Sequence, residues 1–200
     1  MVQTKPRFKN FEDYLALGSE DLPEGRHEYV DGSLIELMPE GEENDWIANY
    51  LFHLLLVANI TQPRLIRPGR CEVAVFGKPR TRFPDLVILD EAHPNLTKRR
   101  LTITHEMPAP RLVVEVVSSG KKNRDHDLVD KRKQYAERGI PEYRLIEQQQ
   151  QHPEQQRITV LKLATEAYIE HGIFHEEARI NSSSFGLLQL TAEQVLKAGD

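Results

Sequence analysis

The stretch that decides the fold is R-L-V-V-E-V-V-S-S-G-K-K, residues 111–122. Leu112, Val113, Val114, Val116 and Val117 form a short, mostly β-branched run with no wet face, as expected of a strand covered on both sides of a sheet. Glu115 interrupts it. A carboxylate taken into a dry core is costly unless a cation or hydrogen-bond donors compensate it, so a residue with only a packing role at 115 would be another valine. Something has to stand opposite Glu115.

Upstream, F-P-D-L-V-I-L-D at 83–90 is a second doubly apolar strand, which Asp85 opens just after Pro84. If the two strands are neighbours, Asp85 and Glu115 repel each other unless a divalent cation lies between them, and oxygen ligands of this kind suit Mg²⁺ or Mn²⁺. The plain alternatives are a turn or helix cap for Asp85 and a buried salt bridge to an arginine for Glu115. Downstream, residues 124–138 read as a helix ended by Gly139 and Pro141. At about 100° per residue it presents Leu128, Val129, Tyr135 and Ala136 on one face and turns Asp127, Asp130, Gln134 and Glu137 to water. Lys131 falls on the border. It can pair with Asp127 on its own helix, or lean along the sheet toward the two carboxylates.

The other elements follow from local signals. Residues 11–18 (F-E-D-Y-L-A-L-G) suggest a short helix, and R-H-E-Y-V-D-G-S-L-I-E-L-M-P gives two strands around the Asp31-Gly32 turn. Apolar residues from Trp46 to Val57 recur at helical spacing, so a helix runs from Glu43 to about Ile60. C-E-V-A-V-F-G, E-Y-R-L-I-E and R-I-T-V-L-K-L read as strands, Gln148 to Gln156 as a polar loop. The last helix, L-T-A-E-Q-V-L-K-A-G, starts at Thr191 with Gln194 or Glu193 completing the cap. Strands apolar on both faces need helices on both faces, which makes the chain an α/β sandwich rather than a barrel.

Composition narrows the function. The 200 residues carry a formal charge of −5, which argues against a generic polyanion binder. Residues 61–140 nevertheless hold 17 Lys+Arg against 10 Asp+Glu, leaving 9 basic and 21 acidic residues elsewhere. A polyanion would be drawn to that basic island, unless its clusters are only solvated loops. The lone cysteine, Cys71, excludes an internal disulfide and a cysteine-built zinc cage. Neither a linker nor a repeat divides the chain, and no stretch reaches the roughly 18 apolar residues of a membrane span, so one soluble cytoplasmic domain over residues 1–200 is expected.

Taken together, P-D-L-V-I-L-D, L-V-V-E-V-V-S and R-D-x-D-L-x-D-K-x-x-x-Y-A-x-x-G-I-P-E-Y resemble the Uma2 family, also called DUF820, whose members are abundant in bacteria and especially cyanobacteria. The resemblance runs from about Glu28 to Glu147 and is densest from Phe83. It implies a restriction-endonuclease-like PD-(D/E)XK fold: a three-layer sandwich with a central mixed β-sheet flanked by helices and an N-terminal β-hairpin. It also implies that Asp85 and Glu115 bind a divalent metal. The superfamily's lysine stands two residues after the glutamate, where this chain has Val117; the resemblance places it instead on the following helix, at Lys131. Glu28, in H-E-Y-V-D-G, matches an acidic position of the hairpin that approaches the same site. Two departures stand out: Ser119-Gly120 replaces the usual Pro-Ser, and Asn44 or Asp45 stands where a histidine is frequent.

The expected activity is Mg²⁺-dependent (or Mn²⁺-dependent) hydrolysis of phosphodiester bonds in nucleic acid, DNA above all, by an endodeoxyribonuclease. Asp85, Glu115 and the carbonyl of Val116 would hold the metal, Lys131 would orient the attacking water, and Glu28 would complete the site. Lys98, Arg99, Arg100, Lys121 and Arg124 would grip phosphates, and the family resemblance suggests a homodimer. The rival from another class is a nuclease-like module that binds DNA or a protein without cutting. A P-loop at Ser118–Lys121 fails for want of its upstream glycine and of Ser/Thr after the lysine. A zinc site at His171 and His175 fails because Gly172 breaks the helix that their spacing would need.

Overall fold

The structure is a computed structural model and describes residues 8–39, 41–118, 124–148 and 155–198, leaving aside the side chains of 118, 124–127 and 187–189. The helices are α1 (Phe11–Leu15), α2 (Glu42–Val57), α3 (His93–Leu96), α4 (Arg124–Glu137) and α5 (Ala192–Leu196). The strands of the first half are β1 (His27–Val30), β2 (Ser33–Glu36), β3 (Ile66–Pro68), β4 (Glu72–Ala74), β5 (Thr81–Arg82), β6 (Leu86–Ile88) and β7 (Thr102–Ile103). Those of the second half are β8 (Leu112–Ser118), β9 (Glu142–Gln148), β10 (Arg157–Ala164), β11 (Ala167–Phe174), β12 (Arg179–Ser182) and β13 (Gly186–Thr191).

Six strands form the central mixed sheet in the order β11-β10-β9-β8-β6-β3. The two doubly apolar strands are neighbours in it: β6 lies antiparallel to β8 with Leu86 opposite Val114, and β8 runs parallel to β9. Parallel neighbours need a crossover, which α4 supplies. Alternate residues of β8 go to opposite faces. Leu112, Val114 and Val116 join Leu51 and Leu55 of α2, and Val113 joins Tyr135 and Ala136 of α4. Helices therefore cover both faces, as the strands' composition requires.

Several local predictions hold. Asp31 and Gly32 both take positive φ, 47° and 82°, in the β1–β2 turn. Gly139, at φ 79°, ends α4 with its N–H on the Ala136 carbonyl and that of Ile140 on Tyr135. Thr191 and Gln194 cap α5 reciprocally, at 3.2 and 2.9 Å. Two assignments on α4 need correction. Gln134 is buried, because the 76–80 loop lies over it and offers carbonyls, whereas Val129 is 66% exposed. Residues 149–154 of the predicted polar loop lie outside the described residues.

Candidate active site

Glu115 is 4% exposed, and its partners come from the helix that follows it. Lys131 Nζ lies 2.9 Å from Oε2, and the Tyr135 hydroxyl donates to Oε1 at 2.7 Å. Residues 131 and 135 are one turn apart, so a single face of α4 supplies both donors. Among the described residues no arginine bonds to Glu115, and Lys131 takes the inward course toward the sheet. Burial, and next the negative charge of Glu115, push the Tyr135 phenol well above its ordinary range, so it stays a donor.

Asp85 ends up beside Glu115 through backbone pairing. The β6–β8 register, continued by one residue, brings Asp85 opposite Glu115, and Asp85 Oδ2 accepts the N–H of Val116 at 2.7 Å. The Val116 carbonyl in turn accepts the side-chain amide of Asn44, 3.3 Å away, from the first turn of α2. Asn44, one of the two residues noted at the start of this helix as departures, thus reaches the strand.

Glu28 enters through a relay. Its Oε1 accepts from Arg82 at 3.2 Å, Arg82 Nε donates to Gln134 Oε1 at 2.8 Å, and the Gln134 amide holds the carbonyls of Phe76 and Pro79. The hairpin is joined to the body by the Tyr29 N–H on Thr81 Oγ1 and the Arg80 N–H on the Tyr29 carbonyl. Glu28 therefore connects to the Lys131/Tyr135 helix by way of Arg82 and Gln134. The relay was missed because Gln134 was assigned to solvent.

The basic residues are distributed differently from the sequence expectation. Arg100 is internal: its guanidinium binds Glu72 and the Tyr14 carbonyl and stacks on the Tyr14 ring, so it is not an exposed phosphate contact. Lys98 and Arg99 are exposed, with Arg99 3.8 Å from Asp21. Lys121 and the side chain of Arg124 lie outside the described residues. Instead, a cleft of about 1160 Å³ that reaches Asp85 is lined by Arg26, Arg67 and Arg70, and also by Glu42 and Asp45 of α2. Gly69 donates to the Asp85 carbonyl at 2.7 Å, so the chain carrying Arg67 and Arg70 runs alongside the acid.

Among the described residues, no three or more His, Cys, Asp or Glu side chains converge as ligands. The register and the Val116 N–H bond set Asp85 beside Glu115 and Val116, which offers two carboxylates and a backbone carbonyl. Such a hard donor set fits Mg²⁺ or Mn²⁺ in kind, since Mg²⁺ is commonly bound through one or two carboxylates and keeps several waters.

The Uma2 family, described as "Putative restriction endonuclease", matches residues 11–193. A solved structure described as "a putative nuclease belonging to DUF820 from Anabaena variabilis ATCC 29413" superposes with a TM-score of 0.62 at 18% identity, covering 94% of this chain and 98% of that one. The superposition shows a shared fold. No curated protein matches the chain.

Proposed function

The chain belongs to the Uma2 family, and from that premise we propose that it is a metal-dependent endonuclease that hydrolyses phosphodiester bonds of DNA. The observation that carries this reading is the buried Glu115, paired with Lys131 and Tyr135 on one side and set against Asp85 on the other. Asp85, Glu115 and the Val116 carbonyl would hold the ion. When bound, Mg²⁺ or Mn²⁺ supplies a Lewis acid for a phosphate oxygen and a more acidic water.

The chain's own groups do the rest. Tyr135 fixes the rotamer of Glu115, and Lys131 keeps a positive charge beside it, available to orient a water or to offset charge growing on the phosphate. Asn44 and Asp85 hold Val116 from both sides, which limits movement of its carbonyl. Arg26, Arg67 and Arg70 along the cleft suit flanking phosphates, which set the position of a strand without reading its sequence. The Glu28–Arg82–Gln134 relay ties the hairpin to α4, making Glu28 a positioning residue.

The test is cleavage of supercoiled plasmid by the purified protein and its Glu115→Gln variant, with Mg²⁺ and with EDTA. Cleavage only with Mg²⁺ and only by the unaltered protein supports the proposal. Equal rates for the two proteins would remove Glu115 from the chemistry. Salt-dependent DNA binding without turnover by either protein would replace the proposal with a non-cutting module.

A further inference from the structure

Strand β8 outruns its antiparallel neighbour. Its pairing with β6 stops at Leu86 opposite Val114, whereas its pairing with β9 continues to Ser118. Past Val114, side chains stand in for a neighbouring strand: Asp85 accepts the Val116 N–H, and Asn44 donates to the Val116 carbonyl at 3.3 Å. Asn44 is buried, so this bond is made away from water. The carbonyl at the site is therefore held on that side by a side chain of α2 and not by the sheet.

The same turn of α2 is tied to the end of α5. Trp46 gives its indole N–H to the Ala198 carbonyl at 3.0 Å. Gln148, at the end of β9, donates its side-chain amide to Glu43 Oε1 at 3.3 Å and to the Leu196 carbonyl at 3.2 Å. Leu196 and Ala198 also share one core cluster with Ile47, Ala48 and Leu51 of α2. Glu43, Asn44 and Trp46 thus reach β9, β8 and the turn after α5 from a single turn of helix. Residues of one helical turn keep their relative places through the i→i−4 backbone bonds, so a shift at Trp46 is passed to Asn44.

We propose that Asn44 is a positioning residue for the cation, acting through the Val116 carbonyl, and that the turn after α5, through Trp46, sets where Asn44 stands. This rests on the metal-dependent reading of the site. Groups that orient a metal's ligands also set its affinity, and removing one weakens binding by about 10–100-fold. A bond that spans 152 residues of sequence gives the 57%-exposed Trp46 a role that a surface aromatic does not ordinarily have.

The test is Mn²⁺ binding by the full chain without nucleic acid, followed by the electron paramagnetic resonance signal of the free ion. Asn44→Leu keeps the volume and removes the donor, and is expected to raise the dissociation constant by about tenfold or more. Trp46→Phe keeps an aromatic ring beside Tyr50 and loses the N–H; at an exposed site it carries little risk to folding. It is expected to raise the constant by about twofold to tenfold, the scale of one hydrogen bond. Trp46 is the lone tryptophan, so its emission should also change as Mg²⁺ is added to the unaltered protein, and should not in Asn44→Leu saturated with Mg²⁺. An unchanged constant in Asn44→Leu or in Trp46→Phe would overturn the inference even if the protein cleaves DNA. Trp46→Phe decides alone if Asn44→Leu fails to fold. Glu115→Gln should lose Mn²⁺ binding altogether, which tests the metal reading separately, and absence of binding by the unaltered protein would overturn both.

Discussion

Lys131→Met keeps most of the side chain's length and removes its charge, which tests whether the lysine is what makes a carboxylate tolerable inside the sheet. The two groups lie 2.9 Å apart with side-chain exposures of 18% and 5%. Removing one partner of a fully buried pair costs about 3–5 kcal/mol. Two features reduce that figure: Lys131 is partly solvated, and Tyr135 still donates to the other oxygen at 2.7 Å. The expected loss is about 2–3 kcal/mol, or roughly 4–12 °C in melting temperature for a chain of this size. Urea unfolding in EDTA measures it. Mg²⁺ then provides the second half of the test. An ammonium and a divalent cation about 5 Å apart at an effective dielectric of about 20 repel by roughly 7 kcal/mol, so the ammonium opposes a cation at the same carboxylate and the variant gains more from Mg²⁺ than the unaltered protein does. The stability gap seen in EDTA should narrow as Mg²⁺ is raised. Equal stability of the two proteins in EDTA would refute the idea that Lys131 compensates Glu115. Equal stabilisation by Mg²⁺, or none, would refute a cation beside that pair.

Gln134→Leu fills the same space but leaves Arg82 Nε and the carbonyls of Phe76 and Pro79 without their amide partner. Arg82 is buried, so its stranded Nε costs about 1–3 kcal/mol, whereas the carbonyls on the exposed 76–80 loop can turn to water; a loss of about 1–3 kcal/mol is therefore expected by urea unfolding, and a loss under about 0.5 kcal/mol would dismiss the relay. His93 gives a pH signature. It is fully buried, with Nδ1 facing the Asp90 N–H and Nε2 the Pro108 carbonyl, which fixes a neutral ring. Burial holds its pKa below the ordinary histidine value, and Arg138 adds to this against the opposing pull of Pro108 and Asp90. A lowered folded pKa means that its stabilisation is present above pH about 6.5 and fades as pH falls through the folded pKa. Unfolding midpoints between pH 7 and 5 should therefore fall more steeply for the unaltered protein than for His93→Gln; parallel profiles would exclude the residue as the source.

The central sheet was legible because its strands carry an all-apolar signature that leaves few architectures open, and Glu115 and Asp85 stood out against that background. Lys131 was legible only as a choice between two courses, since the border position on a helix does not say which way a long side chain turns. Tyr135 looked like plain core. Its hydroxyl gives it a second role, and its spacing of four from Lys131 was the available clue. Gln134 and Arg100 were misread for one reason: their partners are backbone carbonyls and carboxylates far along the chain, Phe76 and Pro79 for the first and Glu72 and Tyr14 for the second. Local periodicity carries no trace of such partners. The short β3, β5 and β7, of three, two and two residues, escaped for a related reason, because their pairing is set by neighbours and not by their own pattern.

Burial alone does not separate a working carboxylate from a structural one, and this molecule contains both kinds. Glu142 is fully buried and accepts from Arg144, the hydroxyls of Ser182 and Ser183, and the Ser184 N–H. Burial by itself would raise its pKa, yet Arg144 and the serines outweigh that and hold it below the ordinary range. Four donors hold both of its oxygens, three of them on Oε2, and the residue bonds β9 to the end of β12 and the segment that follows it. Glu115, nearly as buried, accepts from two donors among the described residues, both on one helix and one of them a cation that can turn toward solvent. Its neighbour Asp85 lines a cleft with three arginines along its walls. Glu115, with two donors among the described residues, is thus next to the place where a polyanion would be drawn, whereas Glu142 is held by four donors away from that cleft. That difference in donor supply at equal depth, more than depth itself, is why Glu115 and not Glu142 is the residue to mutate first.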